Sequence, residues 1–179
     1  MTTRPDRTEA APFYFTYIDQ VPDGDICELL ETQGREVVDL LHSISDAQSR
    51  VRYGADKWSV REVVSHINDT ERVFSFRALW FARGFDSPLP SFDQNVGVAA
   101  ARADDVQWTA LLDEFQAIRT ATLSLFRMLP DEAWARGGIA SDKQVSVRAL
   151  AYMMAGHVIH HLTILRERYL PILEKSLRE

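Results

Sequence analysis

Hydrophobic positions recur at three- and four-residue steps in four separate stretches, the pattern of amphipathic helices packed along one face. In the first, about 25–47, Ile26, Leu29, Leu30, Val37, Leu40, Leu41 and Ile44 mark the inner face, and Asp23 or Asp25 supplies the N-cap. The second, about 59–83, opens with Ser59-Val-Arg-Glu62, a capping box in which both side chains satisfy free backbone N–H groups. Trp58 and Val63 bracket that start as a hydrophobic staple, and Gly84 ends the helix. Its inner face carries Val63, Thr70, Val73, Arg77, Trp80 and Phe81 together with His66. The third, about 105–128, places Trp108, Leu111, Leu112, Phe115, Ile118, Thr122, Leu125 and Phe126 inward and stops before Pro130. The fourth, 145–169, is capped by Ser146. Val147, Leu150, Ala151, Met154, Val158 and Leu165 lie on its apolar face, with Arg148, Tyr152, Thr163 and Glu167 on or near the opposite one.

The intervening segments read as follows. A polar tail, mobile to about Ala10, leads into FYFTYIDQVP, an aromatic strap laid against the bundle; a lone strand there would lack a pairing partner. Residues 85–105 form a long connection with Pro88 and Pro90. Such a connection can cross the end of a bundle, let the next helix run parallel, and roof a pocket. Residues 131–134 suit a short helical turn, 136–144 a polar connection, and Pro171 interrupts the last helix before a final turn or tail. Four amphipathic helices and no convincing strand predict an all-α four-helix bundle, one domain over 1–179 with a long crossover between helices two and three.

Composition narrows the function. A net charge of −6 with no basic run argues against nucleic acid, and no apolar run is long enough to span a bilayer. The polar N-terminus shows no signal peptide, so a cytoplasmic location is the default expectation. The single cysteine, Cys27, permits neither an internal disulfide nor a Cys-based zinc site and suits a half-buried position in the first helix.

The candidate chemistry lies in the histidines. His157 and His161 fall within the apolar face of the fourth helix, one turn apart, while His160 points to the flank and His42 to the surface. Imidazoles inside a core stripe need partners for their nitrogens, either carboxylates or a metal ion. If helices two and four are neighbours, His66 joins them and three imidazoles converge from two rigid elements. Such a set leaves a coordination position open. Asp69, three residues beyond His66, is a candidate to orient its ring, whereas Glu62 serves mainly as a cap. Arg77 faces inward and needs a carboxylate partner or a stem that carries its head back to water; a structural ion pair is the preferred reading. If it instead reaches a cavity, it can contact an anionic substrate. Asp93 and Asn95 in the crossover connection are further candidate substrate contacts.

The segments YGADKWSVREVVSHINDTERVFSFRALWFARG, SFDQN and AGHVIHHLTIL, with the leading YFTYIDQVPDGD, resemble the DinB/YfiT-like superfamily over nearly the whole chain. The pairing of W-S-x-R-E-x-x-x-H with a late H-x-x-H-H block carries the specificity. The resemblance implies a four-helix bundle with a crossover and one divalent metal, zinc or nickel, held by His66, His157 and His161. It implies homodimers in many members. It also implies enzymes that use a low-molecular-weight thiol for transfer or isomerisation, or that hydrolyse, on small substrates. The function expected is activation of water or a thiol by that metal. The alternative is a helical module, metal-stabilised or metal-free, that binds a ligand or partner without turnover; it draws on the absence of a conspicuous general base.

Overall fold

The computed structural model describes residues 3–175. Four helices build the core: α2 (Ile26–His42), α3 (Val60–Ala82), α5 (Trp108–Arg127) and α6 (Val147–Ile164). Around them lie α1 (Phe15–Ile18), α4 (Gln94–Ala101) and α7 (Leu170–Lys175), with a hairpin of β1 (Gly137–Ala140) and β2 (Lys143–Ser146). Three of the four long helices, α2, α3 and α6, start where the sequence places a cap, whereas Gln107 before α5 makes no side-chain cap bond. Asp25 accepts from the backbone N–H groups of Cys27 and Glu28, the Ser59/Glu62 capping box is complete, and Ser146 accepts from Ala149 N–H. Helix α3 ends at Gly84, whose φ of +85° a side chain would resist.

α3 packs on α5 and α6, and α2 also packs on α5 and α6, so chain neighbours α2 and α3 sit on a diagonal. Side-chain pairs give the directions. Asn68 bonds the Leu111 carbonyl near the starts of α3 and α5, and Glu71 meets Arg119 further along both, so these two helices run parallel. On α2, Ile44 beyond its end meets Trp108 at the start of α5, and Leu30 near its start meets Arg119 far along α5, so this pair is antiparallel. α3 and α6 are also antiparallel: Trp58 before α3 accepts from Tyr169 beyond α6. The long connection before α5 makes the parallel α3/α5 pair possible, as its length led us to expect.

Several sequence expectations are corrected. Helix α2 stops at His42 rather than near 47. The 85–105 connection contains α4, capped by Asp93, whose side chain accepts from Asn95 and Val96 N–H; a helix of eight residues is too short for its periodicity to register. Residues 137–146 pair as a hairpin. Its two turn residues, Ser141 and Asp142, take φ of 53° and 59°, the mirror-image turn that matches strand twist, but with no glycine to signal it. The fourth helix is not one regular rod: α6 passes into a π turn over Leu165–Tyr169 and then α7. Pro171 lacks an N–H and its ring crowds the preceding turn, and a wider turn just before it relieves that conflict. Tyr152, expected on the polar side of the fourth helix, is buried.

That last burial has its cause in the N-terminal segment. The aromatic strap is a 3-10 turn (Pro12–Tyr14) followed by α1, which packs on α6. The expected tail is tied down over its described part. Glu9 receives Arg148 and the Ser146 hydroxyl, Arg4 donates to the Ile18 carbonyl, and its guanidinium lies over the Tyr152 ring. Residues 1–2 of that tail, and 176–179 of the expected final turn, lie outside the described residues. Two buried clusters result: one joins the strap, α6 and the hairpin, and the other joins α2, α3 and α5 near the α6 end. Among the described residues no helix is long and apolar enough to cross a membrane.

Candidate metal centre

His66 sits in the second turn of α3, and His157 and His161 sit one turn apart on α6. Because the two helices are antiparallel neighbours, the early part of α3 meets the late part of α6. All three side chains are buried. The His157 Nε2 lies 3.0 Å from His66 Nε2 and 3.1 Å from His161 Nε2. Taking one nitrogen from each ring, all three fall within 4.8 Å of one another.

Burial dominates the electrostatics. It lowers His66 to about 4, with the nearby His160 adding to the effect. It lowers His161 to about 3, helped by His66 and His160. It holds His157 well below the ordinary value, helped by His161, His66 and His160. The three rings are therefore neutral at pH 7 and each has a lone pair to offer.

The donor set fits a divalent transition ion. A neutral Nε2 at His157 can donate a proton to only one of its two neighbours, which leaves lone pairs facing each other in a dry site; one cation satisfies all three. Nitrogens bound tetrahedrally at about 2.1 Å from one ion lie roughly 3.4 Å apart, so the two spacings from His157 come within a few tenths of an ångström of that arrangement. Among the described residues no carboxylate closes a fourth position of this cluster.

The surroundings differ from expectation at several points. Thr70 Oγ1, not Asp69, approaches His66 Nδ1, at 3.4 Å. Asp69 instead pairs with Arg72 at 3.7 Å. An i+4 residue lies nearer the ring than i+3 here, because helical side chains lean back toward the N-terminus. Trp58, the staple residue, packs its ring 5.0 Å from that of His66. Tyr17 of α1 sets its ring edge-on to both His157 and His160, at 5.6 and 5.5 Å. Periodicity put Thr70 on the inner face beside His66 but gave no reason to prefer it to Asp69 as the ring's neighbour, and it had no means of placing Tyr17, because the strap docks through tertiary contacts alone.

A cavity of about 320 Å³ opens beside His66 and His157 and runs along α3 past Thr70 and Phe74 to Arg77. Tyr14, Tyr17 and Phe92 form part of its wall. The crossover does roof it, but with Phe92 and Gln94. Asp93 is occupied as a cap, and Asn95 is exposed outside the cavity lining. Arg77 reaches the cavity, and among the described residues it lacks the ion pair expected for it: its Nη2 donates to the Pro90 carbonyl at 2.8 Å and the Ser141 hydroxyl at 2.9 Å.

Among solved structures, the fold is similar to that of YfiT from Bacillus subtilis, described as a probable metal-dependent hydrolase with an unusual four-helix bundle topology. The TM-score is 0.70 at 17% identity, over 91% of this chain and 89% of that one. It is also similar to the mycothiol-dependent maleylpyruvate isomerase, with a TM-score of 0.67 at 14% identity, over 81% of this chain and 61% of that one. No curated protein matches the sequence. The family model of the DinB superfamily matches residues 29–165, a span holding all four core helices from the first turn of α2 onward and all three clustered histidines, and the chain belongs to that superfamily.

Proposed function

We propose that this protein is a metal-dependent enzyme that activates water or a low-molecular-weight thiol for attack on a small electrophilic substrate. The observation that carries the reading is the convergence of three imidazole Nε2 atoms, two of whose rings, His66 and His157, line a substrate-sized cavity. Nitrogen donors suit zinc or nickel, and three protein ligands leave a position open toward the cavity. A divalent ion held there supplies Lewis acidity, which makes hydroxide or thiolate accessible near neutral pH.

The chain's own residues supply position and dryness. Thr70 steadies the His66 ring, Trp58 and Tyr17 pack against the outer faces of the cluster, and Phe74 lines the approach. The descriptions of the two structural relatives, a probable metal-dependent hydrolase and a mycothiol-dependent isomerase, support water and thiol activation respectively. A second reading, ligand binding without turnover, is favoured by the cavity lining: it contains no carboxylate to act as a general base.

Metal content by mass spectrometry, on protein purified without a histidine tag, tests the proposal. About one equivalent of zinc or nickel per chain is expected, with loss in the His157→Ala/His161→Ala variant. Absence of metal in both, even after reconstitution, overturns it. Bound metal with no conjugation of mycothiol, bacillithiol or glutathione to electrophiles, and no ester or amide hydrolysis, would favour the binding reading.

A further inference from the structure

Arg77 is only 5% exposed. Both groups its Nη2 reaches are neutral, and among the described residues no carboxylate lies within ion-pair distance of it. Its Nη1 and Nε carry no hydrogen bond among the described residues, yet neither is sealed away as a buried unsatisfied atom. A guanidinium held this way is costly: it has lost most of its water and gained no counter-charge. Burial accordingly lowers its proton affinity, against a small opposite effect of Tyr14, but arginine stays charged at neutral pH.

The other buried arginines are satisfied differently. Arg119 pairs through two nitrogens with Glu71, and Arg61 meets Asp46 and several carbonyls. Among the described residues the fold therefore pairs its buried arginines, except for Arg77, which lines the candidate site. The cavity lining contains Arg77 and no Asp or Glu, in a chain whose net charge is −6. His66 and Arg77 lie eleven residues apart on one helix, three turns or about 16 Å of axis, and both line the same cavity, with Val73 between them in the lining.

We propose that Arg77 is the anion receiver of this cavity, so that the substrate is a small molecule with an anionic oxyacid head at Arg77, a flat apolar body against Phe74 and Tyr14, and its reacting carbon toward the histidines. This rests on the metalloenzyme reading for the reacting end only; the anion site stands on Arg77 itself. Arginine's planar fork matches carboxylate and phosphonate alike.

Calorimetric titration of the full chain, with and without added zinc, tests it with phenylacetate, phenylphosphonate and the neutral phenylacetamide. Wild-type protein is expected to bind one or both anions at least tenfold more tightly than the amide. Arg77→Met should abolish that preference while leaving metal content unchanged and melting temperature equal or higher, because the unpaired charge is gone. A lowered melting temperature with the anion preference intact would make Arg77 a tether for Pro90 and Ser141 and overturn the proposal. If the Met variant does not fold, the wild-type ratio still decides: equal affinity for anion and amide overturns it. The relative affinity of phenylacetate and phenylphosphonate separates carboxylate from phosphonate substrates. A chain that takes up no metal even after reconstitution, yet keeps the anion preference, would sink the metalloenzyme reading and leave the anion site standing.

Discussion

The backbone of Tyr17 lies directly on Gly156: a Cβ added at residue 156 would fall inside the contact radius of the Tyr17 carbonyl oxygen. This close approach lets the strap lie flat on α6 and brings the Tyr17 ring to the edge of His157, the next residue. Gly156→Ala should cost about 1–3 kcal/mol as backbone is forced apart. Hydrogen exchange should quicken over residues 11–20 more than over α3 or α5. A variant whose strap exchanges at the native rate would show that α1 is held by other contacts.

Glu9 ties the same N-terminal segment to the start of α6. Burial alone would raise its carboxyl, but the Arg148 and Ser146 side chains and the Asp6 backbone hold it below its ordinary value. A depressed carboxyl stabilises the fold fully above the unfolded value of about 4.3 and loses that contribution as pH falls through the folded value. The stability difference between wild type and Glu9→Gln, read from urea midpoints, should be constant from pH 8 to about 5.5 and close below about 4.3. A gap that widens on acidification would contradict the assignment.

Thr70 is placed to orient His66, and Asp69 is not. On the metalloenzyme reading, Thr70→Val should weaken metal affinity by about 10- to 100-fold in chelator competition, with little change in melting temperature. Asp69→Ala should leave metal affinity near wild type. The reverse order would restore Asp69 as the orienting group.

The Arg119–Glu71 pair, 4% and 1% exposed, joins α5 to α3, and Arg119 also donates to the Leu30 carbonyl on α2. Removing one partner strands a buried charge. Glu71→Ala should cost about 3–5 kcal/mol, whereas replacing both by Leu and Met should recover most of that loss. Equal destabilisation in the single and double variants would mean that packing, rather than stranded charge, sets the cost.

Much of the bundle was legible because its signals are local. The capping box at Ser59, the N-cap at Ser146 and the stop at Gly84 each depend on residues within one turn, and the structure keeps all three. His66, His157 and His161 could be called inward-facing for the same reason, since a side chain's face follows from its helical phase. Tyr152 failed that logic because the strap covers what would otherwise be a solvent face. The Ser141–Asp142 turn failed it because its residue types do not advertise positive φ.

What the sequence alone determined, then, is four amphipathic helices, their caps, and three histidines turned inward. Tertiary structure decided that α3 runs antiparallel to α6 and parallel to α5, which brings His66 to His157 and His161. It also decided that Arg77 meets neutral partners while Arg119 meets Glu71. Periodicity reports which face of a helix leaves water; it carries no information about which distant residue waits there, because that depends on how separate helices dock.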